Sequence, residues 1–135
     1  MFIKYFLSIL ITISFIVASN DPIKSFYNYN AISIDGDTIS MEKYKNKKIL
    51  LVNLASKCSY TSQYNELQEL HESFSDTISI LGFPSNDFLW QEPGSNSEIK
   101  LFCQRNFGVT FQLFQKIHVK GKNNIQFING SLIVA

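Results

Sequence analysis

Two short apolar runs, Ile49-Leu50-Leu51-Val52-Asn53-Leu54 and Ile78-Ser79-Ile80-Leu81-Gly82-Phe83, stand on either side of a stretch in which Tyr60, Tyr64, Leu67, Leu70 and Phe74 recur close to a helical period. Runs this short and this apolar suit strands covered on both faces. The spaced residues between them suit one face of a helix from about Ser59 to Ser75. Strand, helix and strand in that order join most readily as a crossover between parallel neighbours. The chain is thereby directed to the α/β class.

The remaining segments fit that frame. Ile32-Ser33-Ile34-Asp35-Gly36-Asp37-Thr38-Ile39 alternates on both sides of Asp-Gly, a strong signal for an antiparallel hairpin. Met41 to Lys48 is charged and predicts an exposed turn or short helix. Ser95-Asn96-Ser97-Glu98 has the form of a capping box, opening a helix that carries Ile99, Phe102 and Cys103 on one face and stops near Gly108. Phe111 to Val119 alternates loosely as a third strand. Ile125 to Val134, apolar on both sides of Asn129-Gly130, suggests a second hairpin. No internal repeat interrupts the order.

The N-terminus starts with Met1-Phe2-Ile3-Lys4, continues as an apolar run from Tyr5 to Ala18 and turns polar at Ser19-Asn20-Asp21-Pro22. This is the pattern of a signal peptide over residues 1–19, leaving a single domain over residues 20–135. The run is shorter than the ~20 residues that span a bilayer, so membrane attachment is expected only if the leader stays uncleaved. A secreted or periplasmic location follows, where disulfides persist. The formal net charge of +1 carries no electrostatic footprint of a nucleic-acid binder.

Cys58 stands between the first apolar run and the helical pattern. Backbone N–H groups at a helix start, together with Lys57, would stabilise its thiolate, the species that attacks a peroxide oxygen or a disulfide sulfur. The same position suits an inert Cys packed beneath the helix, and the local pattern leaves both readings open. Cys103, beside Phe102 on an apolar face, is either a small buried hydrophobe or a candidate resolving thiol. The two thiols are 45 residues apart and neither belongs to a C-x-x-C pair, which fits neither a zinc site nor a dedicated disulfide exchanger. His71 and His118 are solitary, without metal-ligand spacing. Asp35 and Asp37 are explained by turn chemistry.

Three blocks taken together are more specific than any of these residues alone. They are Val52-Asn53-Leu54-Ala55-Ser56-Lys57-Cys58-Ser59-Tyr60-Thr61, then Leu81-Gly82-Phe83-Pro84-Ser85-Asn86-Asp87-Phe88 with Gln91-Glu92-Pro93-Gly94-Ser95, then Glu98-Ile99 through Cys103 to Phe111, followed by Phe114 and Lys116. In this order and spacing the chain resembles the glutathione peroxidase family. The resemblance implies a thioredoxin-like fold, a three-layer sandwich with a central mixed sheet and an N-terminal β-hairpin. It implies that Cys58 is the peroxidatic thiol and that Gln91 hydrogen-bonds the sulfur and orients the peroxide. The implied activity is reduction of hydrogen peroxide or organic hydroperoxides through a sulfenic acid, in oxidative-stress defence. No metal or bound organic cofactor is implied; glutathione or thioredoxin serves as the reducing co-substrate.

The chain departs from the family pattern at several positions. Ser59 replaces a common Gly, Ser85 stands where many relatives have Cys, and Gln112 stands where many have Pro. The resolving Cys of thioredoxin-dependent relatives falls at Gln104, one position beyond Cys103, which on a helix turns the side chain by about 100°. Relatives continue past a turn like Val119-Lys120-Gly121 into a Trp-Asn-Phe strand whose Trp and Asn complete the active-site tetrad, whereas the one Trp here is Trp90. A domain shortened after about residue 121 is therefore expected. The alternative reading is an impaired family member serving as a binding module or a non-functional fragment.

Overall fold

Asp35 and Gly36 turn the chain between β1 (Asn30–Ile32) and β2 (Thr38–Ser40), which pair antiparallel with Ala31 opposite Ile39. Gly36 takes φ +98°, a conformation that side chains with a Cβ disfavour. The Ser33 hydroxyl closes the turn by accepting the Asp37 N–H at 3.0 Å. The computed structural model describes residues 25–120, so the leader and the expected Ile125–Val134 hairpin lie outside the described residues.

The two apolar runs form β3 (Lys48–Leu54) and β4 (Ile78–Pro84), parallel and in register with Leu50 opposite Ile80. A two-residue β5 (Gln112–Leu113) pairs parallel on the other side of β4. Side chains alternate along β4. Ile80 joins a cluster with Leu54, Tyr64, Ile99, Cys103, Val109, Phe111 and Leu113, beneath α1 (Tyr64–Phe74) and α2 (Asn96–Phe107). Leu81 and Phe83 point the other way, into a cluster with Ala31, Met41, Tyr44 and Phe114. Helices thus cover one face of the sheet, while the hairpin and a 3-10 turn cover the other. An antiparallel bridge between Ser33 and Phe114 ties the hairpin to the parallel strands. The α/β layering is the one the sequence predicts, but the expected mixed sheet is corrected. Among the described residues β3, β4 and β5 are all parallel, and the antiparallel hairpin is a separate pair joined to them by that bridge.

Helix α2 follows its sequence signals closely. Ser95 accepts the Glu98 N–H at 3.3 Å, the Glu98 carboxylate accepts the Ser95 N–H at 2.7 Å, and Gly108 at φ +61° ends the helix. Four other expectations are corrected. Helix α1 begins at Tyr64 instead of Ser59, after a 3-10 turn over Thr61–Gln63, because the Thr61 side chain bonds back to the preceding turn. The Met41–Tyr44 segment is not simply exposed: Met41 and Tyr44 are buried, and the charged residues between them face out. Strand β3 is only partly covered apart from Leu54, because among the described residues it has a strand neighbour on one side alone.

The third strand, expected over Phe111–Val119, forms a ladder only at Gln112–Leu113. Beyond it the backbone divides its bonds between two neighbours. Phe114 and Ile117 N–H groups donate to Gly82 and Pro84 of β4, while Gln115 N–H donates to Ile32 of the hairpin.

Gly82 is where β4 passes closest to its neighbours. A Cβ there would lie 2.6 Å from Leu54 Cδ1, 3.0 Å from Leu113 Cδ2 and 3.2 Å from Phe111 Cε2, all three in buried residues. Gly82→Ala is therefore expected to lower unfolding free energy by about 1–3 kcal/mol through overpacking. Denaturant titration checks this, and an unchanged midpoint would show that the three side chains can withdraw.

Candidate active site

Strand β3 ends at Leu54, and the turn that follows carries Cys58. Two side chains from the next element shape it. The Tyr64 hydroxyl oxygen accepts the Ala55 N–H at 2.7 Å. Thr61 Oγ1 accepts the Cys58 N–H at 3.1 Å and lies 2.7 Å from both the Ala55 and the Cys58 carbonyl oxygens, so its single proton serves one of them at a time. The Thr61 N–H adds a bond to the Cys58 carbonyl at 3.1 Å. Cys58 is held through its backbone, which leaves its side chain uncommitted to the fold.

This geometry differs from a thiol set in the first turn of a helix. Helix α1 starts six residues beyond Cys58, and the Cys58 N–H is already engaged by Thr61. Cys58 therefore precedes the helical run, which opens with the 3-10 turn at Thr61, instead of standing in its first turn.

The partly exposed Cys58 thiol opens on a cleft of about 550 Å³ whose walls include Thr61, Tyr64, Phe88 and Gln91. The family resemblance pairs Gln91 with Cys58, and both residues line this cleft. The join is made by the backbone: the Lys57 N–H donates to the Gln91 carbonyl at 2.9 Å. Next to Gln91, the buried Glu92 carboxylate accepts the Ser56 N–H at 2.7 Å and the Ser56 hydroxyl at 2.5 Å. Burial raises the Glu92 pKa above the usual carboxylate value, opposed by the Ser56 hydrogen bonds and the charges of Lys116 and Lys57. The Glu92 N–H donates to Asn86 Oδ1 at 2.9 Å, and Lys116 Nζ donates to the Gly94 carbonyl at 2.6 Å.

Cys103 belongs to a different environment. It is 1% exposed on the inner side of α2, is not bridged to Cys58, and its thiol is pushed up to about 12, chiefly by burial and secondarily by the Glu92 charge. Iodoacetamide at neutral pH is expected to label Cys58 and spare Cys103 until the protein unfolds. Peptide mass mapping of native and denatured samples checks this; native labelling of Cys103 would contradict the packing.

His71 lies edge-on to Phe111, and His118 Nδ1 meets Asp87 Oδ1 at 2.9 Å. Asp87 Oδ2 also accepts the Val119 and Lys120 N–H groups, which returns the segment after β5 to the loop before Gln91. In that loop Leu89 and Trp90 both take φ +54° and are 79% exposed, a backbone that bulky residues seldom adopt. Ser56, Thr61, Tyr64, Asn86, Glu92 and Lys116 all support the site, yet none was assigned a role from sequence. Five of them lie inside the quoted blocks, so the blocks themselves were the signal.

A family model described as glutathione peroxidase matches residues 26–129. The chain belongs to the glutathione peroxidase family. Over 99 residues it is 50% identical to a protein named glutathione peroxidase from Lactococcus lactis, covering 73% of this chain and 63% of that relative. It is 44% identical over 100 residues to a hydroperoxy fatty acid reductase of Synechocystis, covering 73% of this chain and 59% of that relative. The chain thus spans about three fifths of the length of these relatives. Among solved structures, the T. cruzi GPX1 crystal structure superposes with a TM-score of 0.59 at 26% identity, covering 78% of this chain and 63% of that one. A DsbF homologue from Corynebacterium diphtheriae, at 24% identity and a TM-score of 0.53 over 65% of this chain and 52% of its own, shares the fold alone. The thioredoxin-like architecture expected of the family is the one described above.

Proposed function

We propose that this chain is a thiol peroxidase that reduces hydrogen peroxide or organic hydroperoxides, with Cys58 as the nucleophile and Gln91 as its hydrogen-bonding partner. One observation carries the reading: Cys58 and Gln91 sit on segments bonded to each other through Lys57 and open to the same cleft. The thiolate sulfur attacks one peroxide oxygen, an S–O bond forms and the O–O bond breaks. The departing oxygen takes a proton and leaves as water or an alcohol. The Cys58 sulfur is thereby oxidised by two electrons to a sulfenic acid while the peroxide is reduced by two. A first reductant thiol displaces the sulfenic oxygen as water to form a mixed disulfide, and a second thiol releases a disulfide and returns the Cys58 thiolate.

The burial of Cys103 supports an external thiol, glutathione or a thioredoxin, as the direct reductant of Cys58. Relatives named for each reductant occur, including an E. coli protein named thioredoxin/glutathione peroxidase BtuE. Purified protein supplied with each reductant in turn should consume peroxide in at least one coupled assay. Absence of consumption with both would overturn the proposal. The leader-like residues 1–19 are proposed to direct export, which N-terminal sequencing of the exported protein tests.

A further inference from the structure

A buried carboxylate needs a physical reason, because desolvating a charge is costly unless its hydrogen bonds are made. Glu92 is 1% exposed, and both of its oxygens are taken by one residue, Ser56, through its N–H at 2.7 Å and its hydroxyl at 2.5 Å. Two bonds to one partner fix orientation as well as distance. Ser56 stands two residues before Cys58, and Glu92 directly follows Gln91. With the Lys57 N–H on the Gln91 carbonyl, three hydrogen bonds cross between the two segments, and none uses the side chain of Cys58 or Gln91.

We propose that Glu92 is a positioning residue: its carboxylate clamps the Cys58 turn to the Gln91 segment and so sets the separation of the thiol from its partner. The proposal rests on the peroxidase reading of those two residues. Its own supports are held in turn. Asn86 Oδ1 accepts the Glu92 N–H at 2.9 Å, and Lys116 Nζ reaches the carbonyls of Gly94 at 2.6 Å and Glu92 at 3.4 Å. The groups that act electrostatically with the carboxylate are Lys57 and Lys116, which favour its charge, and Tyr64 and Cys103, whose ionisation it opposes. A fold needing only cohesion here would be served as well by an apolar side chain of similar volume. A bidentate acceptor does something an apolar residue cannot, since it fixes where Ser56 stands.

The test compares Glu92→Gln, which keeps shape and an acceptor for the Ser56 N–H, with Glu92→Leu, which keeps neither bond. Each full-length variant is assayed for the second-order rate with hydrogen peroxide, for Cys58 alkylation by iodoacetamide, for melting temperature and for amide exchange. Alkylation needs the thiol alone, whereas the peroxide step needs thiol and partner together. The peroxide rate of Glu92→Leu is expected to fall about tenfold or more relative to its alkylation rate, and Glu92→Gln should recover most of that loss. Equal falls in the two rates, or losses that only track melting temperature, would reduce Glu92 to a structural residue. If the wild-type chain consumes no peroxide, the peroxidase reading fails on its own. The clamp is then decided by exchange: Ser56 and Lys57 amides should lose protection in Glu92→Leu while α2 keeps its own, and retained protection would overturn it.

Discussion

Replacing Cys58 with Ser is expected to abolish peroxide consumption while leaving the fold intact. A serine hydroxyl stays protonated near neutrality, and its oxygen has no sulfenic acid to form, so neither the attack nor the thiol-dependent return is available to it. The fold should be indifferent to the change. The contacts that hold residue 58 are its N–H to Thr61 Oγ1 and its carbonyl to Thr61, and a serine backbone repeats both. Stability is therefore expected to shift by no more than about 0.5 kcal/mol. Coupled peroxide assays and thermal melts on the same preparation separate the two effects. Turnover that survives in Cys58→Ser would move the chemistry away from this thiol.

The largest stability loss is expected at Phe114. This ring is fully buried and stacks on Phe83 with centroids 4.4 Å apart and planes within 5° of parallel. Its backbone donates to Gly82 of β4 at 2.9 Å and bridges to Ser33, so one residue joins the sheet, the hairpin and the second apolar cluster. Phe114→Ala removes the ring while the surrounding backbone bonds resist collapse into the space left. A loss of about 3–5 kcal/mol is expected. Domains of this kind hold only about 5–15 kcal/mol in total, so partial unfolding near physiological temperature should be visible by circular dichroism. A loss below about 1 kcal/mol would mean that the hairpin face contributes little to the core.

How much of this was legible in the sequence depended on whether the deciding interaction was local. Helix α2 was readable to the residue because Ser95, Glu98 and Gly108 act within a turn of where they stand. Strands β3 and β4 were readable because short apolar runs bounded by turn residues favour strands, although only in β4 did the run also report full burial. The start of α1 was not, since the apolar spacing begins at Tyr60 while Thr61 prefers the carbonyls of Ala55 and Cys58 to a helical turn. The third strand was not, because its bonds are shared between Gly82, Pro84 and Ile32. Periodicity carries no sign of such sharing.

The site divides along the same line. Cys58 and Gln91 were named from the family blocks. The Ser56–Glu92 pair, 36 residues apart in sequence, was invisible because each residue alone is unremarkable on a loop. The left-handed backbone of Leu89 and Trp90 was equally hidden, for neither residue type signals it. Cys103 carried two readings from sequence, and its burial supports packing over chemistry.

Peroxide is expected to oxidise the Cys58 sulfur. One equivalent of hydrogen peroxide, added in the presence of a cyclic dione that traps sulfenic acids and followed by peptide mass mapping, tests this. A dione adduct is expected on the peptide bearing Cys58, with Cys103 unmodified. An unmodified Cys58 after peroxide has been consumed, or an adduct on Cys103 alone, would contradict it.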